Sequence, residues 1–167
     1  MKTEEMFAAE LLGEVYPKRY VFFSSIDLFD PENLSLMARF SVPADDGHLK
    51  TFYNWNRYTL DYLGYVPAEQ LMRCVNQLGF VLTGLLIRRR KRIFRGAKLG
   101  YFRKNLLKFV IAEYSVRHRK KLPKGHDFLI HGAIRRVRIT TSGLSVIHMT
   151  FDGAIEGEAA FAWQAHP

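Results

Sequence analysis

The chain holds one cysteine, Cys74, in 167 residues. A lone cysteine excludes an internal disulfide and any zinc site built from several thiolates, and it suits a reducing compartment, so a cytoplasmic setting is expected. Histidine does not supply a metal site in its place. His48, His118, His126, His131, His148 and His166 show neither H-x-x-x-H nor H-E-x-x-H spacing, the patterns that put two imidazoles on one helical face, and no metal or other cofactor is expected. The G-x-S-x-G elbow of many hydrolases is missing. Ser142 lies in TTSG, a turn in which local backbone hydrogen bonding accounts for a serine. With no helix-turn-helix, RNP-like or zinc-finger pattern, the chain has no element for reading nucleic acid, which is not an expected partner. The first residues, MKTEEMFAAELLGEV, lack the basic start and long apolar block of a secretory signal, so no export is expected.

Acidic residues are scarce relative to basic ones, 16 against 25, and the resulting +9 attracts phosphates, acidic proteins or anionic surfaces. Hydrophobic residues make up 48% and charged residues 25%, the balance of an ordinary globular domain, and no repeat or low-complexity segment divides the chain. A single domain over residues 1–167 follows. No membrane span is expected either. The apolar stretch from Leu71 to Ile87 is followed by RRRKR, as a membrane helix often is, but it carries Arg73, Asn76 and Gln77. A central arginine costs about 2.5–3.5 kcal/mol on insertion into a bilayer.

The patterns that are present define a helix, a hairpin, a second helix and four more strands. Residues 1–15 form an amphipathic helix, with Thr3 as its expected cap and Glu4 and Glu5 in its first turn. YVFFSSIDLF (20–29) and LSLMARFSV (34–42) read as strands around the DPEN turn, the second with Leu34, Leu36, Ala38, Phe40 and Val42 on one face. PADDG opens a loop, and the aromatic group Phe52, Tyr53, Trp55, Tyr58, Tyr62 and Tyr65 follows without a clear period. Residues 66–87 form the central helix, with Pro67 suited to its first turn and apolar side chains in almost every direction, which demands burial on most sides. Residues 106–163 hold four strand-like runs separated by KKLPKGH, TTSG and Asp152-Gly153. A change of phase between Ile134 and Val137 marks a bulge. The expected class is α+β, with the layout of a hot-dog fold, a curved antiparallel sheet wrapped around one long helix. Such sheets commonly pair through their edges, so a homodimer or larger homo-oligomer is expected.

Candidate chemistry concentrates on the central helix and its flanks. Cys74, a lone thiol on an apolar helix, reads as core. His48, in the loop before the helix, has Glu69 as a possible carboxylate partner, but the two belong to no recognisable motif. The run at 88–92, followed by Arg95, Lys98, Arg103 and Lys104, complements the helix dipole. Beside an apolar pocket, Arg88, Arg89 and Arg90 would also hold the phosphates of coenzyme A or the acidic face of an acyl carrier protein. Asn76 and Gln77 need partners, because an unpaired buried amide costs about 1–3 kcal/mol. Those partners are either the fold itself or a bound thioester, whose carbonyl an amide N–H and a tyrosine hydroxyl would polarise.

AEQLMRCVNQLGF, the tyrosine-rich loop before it, VYPKRY and SVRHRKKLPKGHDF together resemble the FcoT-like hot-dog family, whose type member is a long-chain fatty acyl-CoA thioesterase. The likeness spans residues 10–163, and its most specific part is the C-x-N-Q core at Cys74, Asn76 and Gln77. The resemblance implies a role in lipid metabolism, with acyl-CoA or an acyl carrier protein as partner. It implies catalysis by Tyr16, Asn76 and a tyrosine of NRYTLDYLGY, for which Tyr58 matches best and Tyr62 competes, with Glu69 as a reserve base. An asparagine that the family places just before the helix is Pro67 here. Related members act on carrier-bound chains in isonitrile lipopeptide pathways. Three functions therefore stand open: hydrolysis of fatty acyl thioesters, dehydration of or addition to carrier-bound acyl chains, and acyl binding without catalysis.

Overall fold

A computed structural model describes residues 2–44 and 65–164. Its elements in chain order are α1 (Lys2–Gly13), β1 (Phe23–Asp30), β2 (Ser35–Ser41), α2 (Ala68–Arg88), α3 (Leu99–Lys104), β3 (Val110–His118), β4 (Asp127–Ile139), β5 (Leu144–Gly153) and β6 (Ile155–Gln164). The strands form one antiparallel sheet in the order β1-β2-β4-β5-β6-β3, and α2 packs against it. This is the α+β hot-dog layout expected from the order of the elements.

Strand alternation selects the inner face. On β2, Leu36, Ala38, Phe40 and the following Val42 are fully buried, as their period of two requires. Phe128, Ile130, Ile147, Met149, Phe161 and Trp163 continue that face across the sheet. The bulge is found in β4, where the register slips between Ile134 and Arg136 and leaves Arg135 exposed. α2 is long and apolar enough to cross a membrane, but 83% of its most apolar window is buried in the fold. Its apolarity is used as core.

Two glycines set how closely helix and sheet approach. A Cβ on Gly79 would lie 2.8 Å from Phe161 Cζ, and one on Gly132 of β4 would lie 2.7 Å from Leu78 Cδ2. Gly79→Val should therefore destabilise the protein by about 1–3 kcal/mol through overpacking. Urea unfolding followed by circular dichroism measures this, and an unchanged midpoint would show that the layers can separate at no cost.

Several boundaries differ from the sequence reading. α1 stops at Gly13, and Thr3 lies within it instead of capping it. Pro67 sits at the N-cap of α2, one residue before its first turn. Lys18–Tyr20 form a 3-10 turn instead of opening a strand, and the backbone groups of Tyr20 and Phe22 bond the Gln77 side chain. Leu106–Lys108 form another such turn, which buries Phe109 against Phe80 and Phe161, at ring-centroid distances of 4.6 and 5.2 Å. The short helix α3 was not expected, because six residues carry too little period to register. It delivers Phe102 edge-on to Trp163 at 5.0 Å.

Candidate active site

Most of α2 is covered by the sheet and by α1, but one stripe is not. Glu69 and Met72 are exposed, and Arg73 and Asn76 are half-buried. Positions three and four apart share a helical face, so these four residues form one line. The next residues on that line, Phe80 and Thr83, are buried. Asn76 thus ends an open strip where the core begins.

The turn that follows α1 carries Tyr16 to that point. Asn76 Nδ2 donates to the Tyr16 hydroxyl at 2.8 Å, while Asn76 Oδ1 is buried without a hydrogen-bond partner among the described residues. Tyr16 also packs edge-on against Phe80 at 6.2 Å. Burial pushes the Tyr16 phenol above its ordinary value, against the Asn76 hydrogen bond and the nearby Arg73 charge, which lower it. The phenol therefore stays neutral at physiological pH. With its oxygen accepting from Asn76, its own O–H proton can be donated elsewhere. Tyr16 also lines a cavity of ≈300 Å³ with Leu12, Val21 and Phe23, whose wall includes Glu5 and Lys18.

Gln77 points elsewhere. Its Nε2 donates to Tyr20 O at 2.6 Å, and its Oε1 accepts from Phe22 N at 3.0 Å and Phe23 N at 3.1 Å. The side chain is fully buried, and these three hydrogen bonds all go to the segment that leads into β1. The expected substrate contact at Gln77 is replaced by a structural tie.

The other expected residues are dispersed. Glu69 is exposed and pairs with Arg73 at 2.7 Å, about 10 Å along the helix from Asn76, so it is not placed as a base beside it. Arg88 donates to Thr3 O at 3.3 Å and lies over the Phe7 ring, and Arg89 pairs with Glu4. Both tie α2 to α1 instead of facing the site. Tyr58, Tyr62 and His48 lie outside the described residues. Cys74 is fully buried, and burial pushes its thiol far above the ordinary range, in keeping with a core residue. Ser142 bonds Thr140 Oγ1 at 2.8 Å within its turn. No group of three or more metal-ligating side chains occurs among the described residues.

One residue was missed by the sequence reading. Tyr114 of β3 has its hydroxyl buried without a partner among the described residues, and burial, with Cys74 adding to the effect, pushes its phenol up to about 12. The only sequence signal was an inward position in a strand. Because this hydroxyl has no partner, Tyr114→Phe should leave stability unchanged or raise it by about 1 kcal/mol. The sign of the pH dependence follows from the raised phenol. The folded state holds the proton more tightly because burial penalises the phenolate, so stability is unaffected by this group below the ordinary tyrosine range and falls as pH rises from there toward about 12. Thermal unfolding should show a shallower decline above pH 10 for Tyr114→Phe than for the parent. An equal or steeper decline would contradict the placement of that hydroxyl.

No protein-family model matches this sequence, and no curated protein matches it. Solved structures do resemble it in shape. Zebrafish thioesterase superfamily member 2 superposes with a TM-score of 0.54 at 12% identity, over 99% of this chain and 97% of that one. A protein of Syntrophus aciditrophicus SB, provisionally named a thioesterase, gives a TM-score of 0.52 at 13% identity, over 99% of this chain and all of the other. These likenesses establish the fold.

Proposed function

We propose that the protein hydrolyses fatty acyl thioesters carried by coenzyme A or an acyl carrier protein, as the FcoT-like resemblance implies. The observation that carries this reading is the pairing of Tyr16 with Asn76 at the inner end of the open strip on α2. Thioesterase-named neighbours of the same fold support it.

The acyl thioester enters along the strip past Met72 and Arg73. Its chain lodges against Leu12, Val21 and Phe23 in the hollow beside Tyr16, with Glu5 and Lys18 elsewhere in the wall, and its carbonyl meets the Tyr16 O–H. The neutral phenol donates to the carbonyl oxygen as negative charge develops there. Asn76 holds the phenol in place and offers its Oδ1 to the attacking water, which it orients without deprotonating; as the new C–O bond forms the C–S bond breaks, and the proton shed by the water goes to the departing thiolate sulfur, giving acid and free thiol. An amide is a poor base, so this arrangement gives a modest rate unless a further group assists. Tyr58 or Tyr62 is the assigned third contributor.

Release of free thiol from acyl-CoA and acyl carrier substrates of varied chain length tests the reading. An acyl chain altered while still attached to its carrier would replace hydrolysis by dehydration or addition. Binding without any turnover would leave an acyl-binding protein.

We also propose that two copies pair through β3, which ends the sheet and leaves Val110 49% exposed. Sedimentation equilibrium should give twice the 19.4 kDa chain mass, and a single-chain mass at high concentration would reject the pairing.

A further inference from the structure

The basic run after α2 divides into two sets with different surroundings. Arg88 and Arg89 are held by α1, and Lys91 pairs with Glu32 in the turn between β1 and β2. Arg90, Arg92 and Arg95 make no ion pair or hydrogen bond through their side chains among the described residues. These three line one hollow of ≈510 Å³, completed by Phe94, Gly96 and Ala97, with no acidic residue among the described residues of its wall.

The hollow is built on fixed turns. Arg90 has φ 54, in the left-handed region that side chains with a Cβ disfavour, and Gly96 turns the chain again at φ 89. Between them Arg92–Phe94 form a 3-10 turn, closed by Phe94 N to Lys91 O at 2.9 Å and Arg95 N to Arg92 O at 3.0 Å. Phe94 is buried beneath it. Three arginines thus line one concavity without a counter-charge among the described residues, an arrangement that a compact anion of several charges relieves. Guanidinium forks match phosphate oxygens in pairs. A concave wall suits clustered phosphates better than the flat acidic face of a protein.

We infer that Arg90, Arg92 and Arg95 form a binding site for a small ligand bearing two or more phosphate groups. The nucleotide end of a coenzyme thioester and a free nucleotide share this chemistry. The hollow lies about 20 Å along the helix from Asn76, and it stands whether or not hydrolysis occurs there.

The test is calorimetric titration at low salt with adenosine 3′,5′-bisphosphate, inorganic pyrophosphate and adenosine. The proteins compared are the parent, Arg92→Glu, Arg95→Glu and, as a control of equal charge change on β4, Arg138→Glu. The two phosphate compounds should bind and adenosine should not. Each hollow substitution should weaken binding roughly tenfold or more, while the control changes it by less than about threefold. Competition by intact coenzyme A identifies the coenzyme as the source. Its failure to compete points to free nucleotides, and both results keep the site. No binding to the parent, equal weakening by the control, or saturation only by an acidic acyl carrier protein would overturn the inference. A chain that binds the bisphosphate through these arginines but releases no thiol keeps this site and rejects the hydrolytic reading. The converse result keeps hydrolysis and rejects the site.

Discussion

Replacing Gln77 by leucine should cost about 3–5 kcal/mol of stability, a large part of the roughly 5–15 kcal/mol that holds a domain together. Leucine matches glutamine closely in size, so the loss is not a cavity effect. It comes from backbone groups left behind: Phe22 N–H and Phe23 N–H lose their acceptor, and Tyr20 C=O loses its donor. Each such group, if buried and unsatisfied, costs about 1–3 kcal/mol. The segment cannot simply open to water, because Phe22 is buried and Phe22 O already accepts from Ser41 N at 2.8 Å. Guanidinium unfolding followed by circular dichroism measures the change. A loss below about 1 kcal/mol would mean that these bonds exchange freely with water and do not anchor β1 to the helix.

Asn76→Ala should act on turnover and leave stability nearly intact. It removes one hydrogen bond to a half-exposed neighbour, worth about 1 kcal/mol. In the proposed mechanism the same side chain holds the Tyr16 phenol and orients water. Removing one such preorganised group costs about 10²–10³-fold in kcat. KM should change little, because the acyl chain and carrier bind elsewhere. Tyr16→Phe should lower kcat as well, and the double variant should fall little below Asn76→Ala alone, since the two side chains act as one unit. Thiol-release kinetics on the three variants decide the matter. Full activity in Asn76→Ala would remove the pair from the mechanism, while additive losses would separate the two roles.

Local patterns made much of the fold legible. Alternation placed the inner face of β2, the change of phase marked the bulge at Arg135, and all-round apolarity placed α2 in the core. What local patterns missed was α3, too short for a period, and the 3-10 turn at Lys18–Tyr20, whose neighbouring backbone groups bond a side chain 57 and 55 residues away. The candidate site was legible only in part. Tyr16 and Asn76, far apart in the chain, do meet. Tyr114 carried no motif, and the arginine run gave no sign of which of its members were tied down by α1 and the β1–β2 turn.

The amino-acid order alone settled that a helix oily on nearly all sides must be enclosed by strands, because water will not tolerate it, and that its two central amides must find partners. It left open which amide does which task. Neighbouring residues on a helix point roughly 100° apart, so only the packing of α1 and β1 around α2 decided the outcome. Gln77 faces the main chain and holds the fold, and Asn76 faces Tyr16 at the end of the open strip.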